Sequence, residues 1–162
     1  EMSIRANVSS GLRIDGNATY LDATFTRFNT ADPARPEQGE VSLKGNRLPN
    51  APSWTLNGGM ELDLPVPLPG ALSLRGDASW TSKYYFSEFN VARMVQRDVA
   101  VIDGSLRYVD QGDRWNATVF VKNLTNQKMK ANLTVAAQAV GYAVNGSLKP
   151  PRTYGFTVGY KF

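Results

Sequence analysis

The chain has 162 residues, of which 42% are hydrophobic and 20% charged, and its formal net charge is +4. This length and composition indicate one folded domain and exclude a disordered chain. Because the chain has neither Cys nor His, thiol chemistry, Ser-His-Asp catalysis and nearly all zinc sites are excluded. We therefore expect no enzyme and no cofactor. The 18 basic residues are scattered singly, which argues against nucleic acid as a partner.

The first part of the chain contains three stretches in which apolar and polar side chains alternate. The first opens at Met2, and its even-numbered residues are apolar. The second runs from residue 12 to about residue 28, although its parity blurs after Tyr20, where we interpret Phe25 as the mark of a bulge. The third covers residues 53–64. A period of two predicts strands and not helices.

The same alternation continues to the end of the chain. The fourth to seventh stretches cover residues 71–86, about 99–109, 115 to about 124, and 152–162. In the last of them the even-numbered residues 154–162 are all apolar, and four of these five are aromatic. A strand that is apolar on one face and ends on an aromatic residue is typical of outer-membrane barrels. Each stretch is long enough to cross a bilayer at a tilt, which takes about 9–11 residues.

The connections between these stretches alternate in length. The short ones, at residues 9–11, 65–70 and 110–113, are rich in turn residues. The long ones cover residues 29–52, 87–98 and 125–151, so short and long connections fall at opposite ends of the strands. The pattern predicts an all-β fold, an antiparallel meander of about seven transmembrane strands. Within the last long connection, the uncharged residues 133–144 fit either a short helix or an extra hairpin.

Four segments together resemble the C-terminal β-barrel portion of TonB-dependent outer-membrane receptors. They are NRLPNAPSWTLNGGMEL (46–62), LRGDASWTSKYYF (74–86), WNATVFVKNLTNQ (115–127) and PPRTYGFTVGYKF (150–162). The resemblance implies that residues 1–162 form an open part of a large barrel of about 22 strands with a plugged lumen. The family's plug domain has no counterpart in these residues, so we expect the chain to be a fragment of a longer receptor.

The resemblance also implies a function and a set of partners. Such receptors lie in the outer membrane of Gram-negative bacteria and take up a scarce solute, such as a ferric siderophore, with energy relayed by TonB. The expected partners are outer-membrane lipid, the TonB complex through the missing plug domain, the barrel-assembly machinery and an unidentified small-molecule ligand. Tyr160 and Phe162 occupy the place of the family's assembly signal.

Two other classes of protein remain open from the sequence. One is a small self-contained outer-membrane barrel or pore with a structural role, which requires an even number of strands in a single bacterial chain. The other is a soluble β-sandwich that acts as a binding module, which would be extracted without detergent.

Candidate ligand-binding residues lie in the long connections and on the polar face of the strands. We expect the loops 29–52, 87–98 and 125–151 to meet the solute first, because binding residues tend to lie on loops held by a rigid scaffold. Basic residues predicted to face the lumen could attract an anionic ligand. The alternative, which we favour, is that they pair with Asp15, Asp77 and Asp103 on the same face. These basic candidates are Arg75, Arg107 and Lys122, with Arg13 and Lys161 beside them.

Overall fold

The computed structural model describes residues 1–136 and 141–162, which form strands joined by turns and loops. The strands are β1 (Met2–Ser9), β2 (Leu12–Tyr20), β3 (Asn29–Ala31), β4 (Glu40–Ser42), β5 (Trp54–Leu64), β6 (Gly70–Thr81), β7 (Tyr84–Tyr85), β8 (Val95–Gln96), β9 (Val99–Asp110), β10 (Trp115–Lys122), β11 (Lys130–Val135), β12 (Val144–Leu148) and β13 (Thr153–Tyr160). Two short 3-10 segments, Pro36–Gln38 and Ala92–Met94, lie in the long connections. No helix in the described ranges is both long and apolar enough to cross a membrane.

Seven of these strands form one antiparallel sheet in the order β1-β2-β5-β6-β9-β10-β13. Each of the five inner strands pairs with the one before and the one after it among the seven, so the sheet is a meander, as predicted. Within the described residues, β1 and β13 each pair on one side only. The sheet is therefore open, with two free edges.

The predicted ends of two strands are wrong. The second strand was expected to continue to about residue 28, but β2 ends at Tyr20, opposite Trp54, the first residue of β5. The fourth was expected to reach residue 86, but β6 ends at Thr81, opposite Val99, the first residue of β9. In both cases the strand stops where its partner begins, because a strand without a partner leaves its N–H and C=O groups unpaired.

Within the seven strands, the register places the predicted apolar positions on one face of the sheet. Tyr84 and Phe86, which the alternation of the fourth stretch also assigned to this face, lie outside the sheet. Across neighbouring strands, for example, Leu62 lies opposite Leu74, which lies opposite Leu106. Val119 then lies opposite Phe156 at the edge. We call this surface the apolar face, and the opposite surface, which carries the charged residues, the polar face. Phe120 is an exception, because it lies opposite Ser105 and Gly155 on the polar face, where its ring covers the glycine.

No described residue is packed over the apolar face. No described residue of the seven strands is buried, and the exposed fractions of Phe156 and Val158 are 76% and 60%. A continuous apolar surface of this kind marks a region that contacts another apolar phase or partner. The sheet therefore lacks the hydrophobic core that a soluble sandwich would have between its layers.

Aromatic side chains line both ends of the apolar face. Near the short turns, the ring of Tyr160 lies 4.6 Å from that of Trp115 and 5.2 Å from that of Phe162, centroid to centroid. Near the long connections, the rings of Tyr20 and Trp54 are 4.9 Å apart. Two aromatic belts at opposite ends of an apolar band are the arrangement found in membrane-spanning barrels.

The last long connection contains the hairpin that was one of two alternatives for residues 133–144. β11 and β12 pair antiparallel from Lys130, opposite Leu148, to Val135, opposite Val144. Residues 137–140 of this stretch lie outside the described residues. We refer to residues 129–136 and 141–149 as the hairpin, with Met129 and Lys149 at its base, where Lys149 N donates to Met129 O.

Candidate functional site

The long connections, at residues 21–53, 82–98 and 123–152, are the best-packed part of the molecule. Every buried residue in the described ranges lies in one of them. The buried apolar ones are Leu43, Ala51 and Met94, and the buried polar ones are Asp32, Gln96 and Asn123. The loops predicted to bind ligand are therefore folded against one another, with a small core of their own.

Backbone and amide groups join the first long connection to the second. Asn90 is central, because its side-chain oxygen accepts from Arg47 N at 2.8 Å while its amide nitrogen donates to Arg47 O at 2.9 Å. Asn46 donates to the carbonyl of Glu88 at 2.9 Å, and the backbone N–H of Asn50 donates to the Tyr85 carbonyl at 2.8 Å. Four hydrogen bonds over one short boundary hold these two loops in a fixed relation.

The second connection is joined to the third mainly through Lys130. Its backbone N–H donates to Oε1 of Gln96 at 2.8 Å, and its ammonium donates to the carbonyl of Val95 at 2.6 Å. Gln96 is only 6% exposed and uses its amide nitrogen on Arg97 O at 2.9 Å. Nearer the hairpin tip, Arg93 donates to the carbonyl of Tyr142 at 3.2 Å.

Asn123 fixes the direction in which the third connection leaves the sheet. It has φ 53°, in the left-handed region, and is 4% exposed. Its backbone N–H donates to Asp103, while its side chain accepts from Gln127 N at 2.8 Å and donates to Gln127 O at 2.9 Å. Asn adopts left-handed backbone more readily than most residues, so one side chain supplies both the turn and its hydrogen bonds.

We expect Asn123→Ala to destabilise the complete receptor by about 2–4 kcal/mol, because Ala is disfavoured in left-handed backbone and the two side-chain hydrogen bonds to Gln127 are lost. Gly tolerates the left-handed backbone but lacks the side chain, so Asn123→Gly should lower the free energy of unfolding by roughly half as much. Urea unfolding of the receptor in lipid vesicles measures both. Equal losses for the two variants would contradict a role for the backbone conformation.

A small cavity lies where the hairpin base meets the polar face. It has a volume of about 120 Å³ and is lined by Ser79, Thr81, Tyr84, Gln96, Val99, Val101, Met129 and Lys149. Lys149 is the one charged residue in this lining. The Tyr84 phenol can donate a hydrogen bond at neutral pH, and burial raises its pKa further above the ordinary value. The cavity offers hydroxyl donors, an amide and one cation.

Positive charge is concentrated on the long-loop side of the molecule. The three long connections contain 11 of the 18 basic and 6 of the 14 acidic residues, a net +5, and the remainder of the chain therefore has net −1. The third connection has four basic residues and no acidic one. A local excess of one sign raises the concentration of oppositely charged solutes near it.

Arg75 is the centre of an ion-pair network on the polar face. Its Nη2 lies 2.6 Å from Oδ1 of Asp77, and its Nη1 lies 3.1 Å from Asp15 and 3.8 Å from Glu61. The guanidinium occupies the space above Gly59, where an added Cβ would come within 2.3 Å of it. Because these groups are roughly one-third exposed, each pair contributes little alone, and the network acts mainly to orient Arg75.

Other predicted basic residues are also paired, with one exception. Arg13 lies 2.6 Å from carboxylate oxygens of both Glu61 and Asp63. Lys122 lies 3.0 Å from Asp103, and Lys161 pairs with Asp113 near the short turns. Arg107 is exposed on the polar face and forms no ion pair with any described residue. The favoured pairing with Asp15, Asp77 and Asp103 is thus present for Arg75 and Lys122, whereas a ligand role for these residues stays a prediction.

Sequence reasoning missed the residues that hold the long connections together. Gln96, Asn90 and Lys130 were not singled out, because an isolated amide or lysine in a loop carries no periodic signal. Asn123 had a usable signal, since an Asn directly after a strand and before a turn is a candidate for left-handed backbone.

Comparison with known proteins identifies the family of this sheet. Residues 1–124 match the family model for the TonB dependent receptor-like β-barrel. The chain belongs to this family. No curated protein sequence matches it.

Solved structures of receptors from other bacteria show the same fold. The ferric yersiniabactin uptake receptor FyuA from Yersinia pestis superposes with a TM-score of 0.78 at 19% identity, over 98% of this chain and 22% of that one. BauA, the ferric preacinetobactin receptor from Acinetobacter baumannii, superposes with a TM-score of 0.70 at 25% sequence identity. The match covers 99% of this chain and 21% of BauA. The siderophore receptor PiuA from the same species superposes with a TM-score of 0.73 at 16% sequence identity. The match covers 98% of this chain and 20% of PiuA. The chain thus spans about a fifth of the length of these structures.

Membership of the TonB-dependent receptor family displaces the two other classes of protein. A soluble sandwich is not supported, because the sheet has no second layer among the described residues and its apolar face is uncovered. A small self-closing barrel is not supported either, because β1 and β13 do not pair with each other. The seven strands are an open part of a TonB-dependent receptor barrel.

Proposed function

We propose that the chain forms part of the wall and outer mouth of a receptor that takes up a scarce solute across the outer membrane of a Gram-negative bacterium. The observation that carries this proposal is the set of three long connections, which in a chain of this family are packed together at one end of the polar face. Energy would come from TonB, acting through the plug domain of the complete receptor.

The distribution of side chains supports a different partner for each surface. The apolar face, with its two aromatic belts, has the chemistry expected of a wall in contact with lipid. The polar face has the chemistry of a water-filled lumen that surrounds a plug. The net +5 of the long connections favours an anionic solute, such as a ferric siderophore, at the outer mouth.

Uptake of iron by cells that carry the complete receptor tests this proposal. Ferric yersiniabactin, ferric preacinetobactin and ferric enterobactin, each loaded with radioactive iron, are suitable probes because structural relatives are named for them. We expect accumulation of at least one chelate that stops when TonB is deleted or the proton gradient is collapsed. Uptake of none of the three, with the receptor verified at the surface, would contradict the siderophore assignment. Accumulation without TonB would contradict the energised mechanism.

We further propose that the C-terminal aromatic pair, Tyr160 and Phe162, is read by the barrel-assembly machinery. Phe162 is fully exposed and lies edge-on to Tyr160 at the short-turn end of the edge strand β13, where a partner could reach it. Deletion of Phe162 from the complete receptor should lower its level in the outer membrane several-fold. The molecules that do insert should bind their solute with unchanged affinity. The substitution Phe162→Tyr, which keeps an aromatic ring, is the control, and equal surface levels for deletion and wild type would refute the role.

A further inference from the structure

The hairpin leans inward over the polar face. It belongs to the connection between β10 and β13, yet its base residues Met129 and Lys149 line the cavity together with Ser79 and Thr81 of β6. In the sheet, β6 is separated from β10 by β9 and lies three positions from β13. A loop that rose straight from its own two strands would not reach β6. Some contact must therefore hold the hairpin across the sheet.

The hydrogen bonds that turn the third connection toward the polar face begin at its first residues. After Asn123, the chain turns toward β9, and the N–H of Leu124 donates to the carbonyl of Ile102 at 2.7 Å. On the return side, Arg152 donates from its backbone N–H to Asn126 at 3.0 Å and from its guanidinium to the Leu124 carbonyl at 3.2 Å. These bonds direct the base of the third connection but do not reach the second long connection.

Two contacts join the hairpin to the second connection: the hydrogen bond from Arg93 to Tyr142 near the tip, and the contact at the base between Lys130 and the pair Val95–Gln96. Gln96 is nearly fully buried, and both polar atoms of its amide are used, one on Lys130 N and one on Arg97 O. The ammonium of Lys130 adds the bond to the Val95 carbonyl. Lys130 and Leu148 are paired at the hairpin base, and Lys149 N donates to Met129 O directly below them. Anchoring Lys130 therefore also fixes Lys149 over the cavity.

We propose that Gln96 and Lys130 are positioning residues, which hold the hairpin across the outer mouth and keep the Lys149 ammonium at the cavity between β6, β9 and the loops. They act through the placement of the hairpin and need not touch the solute. The effect on uptake rests on the proposed transport function, whereas the placement of the hairpin is independent of it.

Distance measurements between spin labels test the placement directly in the complete receptor. One label at Ser147 on the exposed hairpin strand and one at Ala100 on the apolar face of β9 report how far the hairpin moves relative to the sheet. We expect a single narrow distance distribution in the parent and at least a two-fold broader one in Gln96→Met and in Lys130→Met. Gln96→Met keeps the side-chain volume but lacks the acceptor, and Lys130→Met lacks the ammonium.

Two further variants separate a specific contact from a general loss of packing. Lys130→Arg retains a cationic donor and should restore the narrow distribution. Lys128→Met removes a cation two residues away that forms no hydrogen bond within the described ranges, and it should leave the distribution unchanged. If Gln96→Met does not assemble, the pair Lys130→Met and Lys130→Arg still decides the question. A narrow distance distribution in both Gln96→Met and Lys130→Met would overturn the proposal. So would a broadening in Lys128→Met as large as the one in Lys130→Met.

Uptake kinetics distinguish positioning from a part in energised transport. For a chelate that the receptor takes up, the methionine variants of Gln96 and Lys130 should raise the KM for uptake about five-fold or more and leave the maximal rate unchanged. A lower maximal rate with unchanged KM would overturn the positioning role. A receptor that takes up none of the three chelates contradicts the proposed function alone, because the spin-label distances are measured without solute.

Discussion

Residues 1–162 expressed alone are expected to accumulate in inclusion bodies and to support no solute uptake. β1 and β13 would each present an unpaired row of backbone N–H and C=O groups. In hydrocarbon each such group costs several kcal/mol, so an open sheet is not stable in a bilayer. In water the same edges stand beside exposed apolar side chains such as Ile4 and Phe156, and together they form a template for aggregation.

The number of strands also prevents the isolated sheet from closing on itself. In an antiparallel meander of seven, the first and last strands run in the same direction, so β1 and β13 cannot complete the antiparallel pattern. The complete receptor expressed from the same vector is the control, and it should reach the membrane fraction. A monodisperse, heat-resistant monomer of residues 1–162 in detergent, with β1 paired to β13, would refute this expectation and identify a complete small barrel.

The second large effect is expected at Val158 on the apolar face of β13. Val158 lies opposite Ala117 and is 60% exposed, so no described residue would cover a charged replacement. Val158→Arg in the complete receptor should cost about 2–4 kcal/mol of folding free energy if the site lies near the bilayer midplane. Unfolding by urea in lipid vesicles measures this loss.

The neighbouring residue Thr157 provides the matched control. It lies opposite Thr118 on the polar face, where an added guanidinium can reach water. Thr157→Arg should therefore change the unfolding free energy by less than about 1 kcal/mol. Spin labels give an independent measure, since labels at Phe156 and Val158 should be reached by apolar relaxation agents and labels at Thr157 and Gly159 should not. A reversed pattern would contradict the membrane assignment of this face.

The amino-acid sequence by itself determined the number, order and facing of the seven main strands. In β13, the alternation of Tyr154, Phe156, Val158 and Tyr160 with small polar residues decides which side chains share a face, because side chains alternate along any strand. The short connections at residues 10–11, 65–69 and 111–114 force neighbouring strands to pair antiparallel, since they are too short for a crossover. Both features are local in the chain, so they can be read without knowledge of tertiary contacts.

The tertiary structure decided where strands stop and how the long connections fold. β2 and β6 end where β5 and β9 begin to pair with them, although the alternation of β6 continues to residue 86. The hairpin is joined to the second long connection by Gln96 and Lys130, which are 34 residues apart in the sequence. Likewise, Arg75 meets Asp15 across 60 residues in sequence, above a glycine on the strand between them. Contacts of this kind depend on which segments the sheet brings together in space, and no periodicity within a single segment records them.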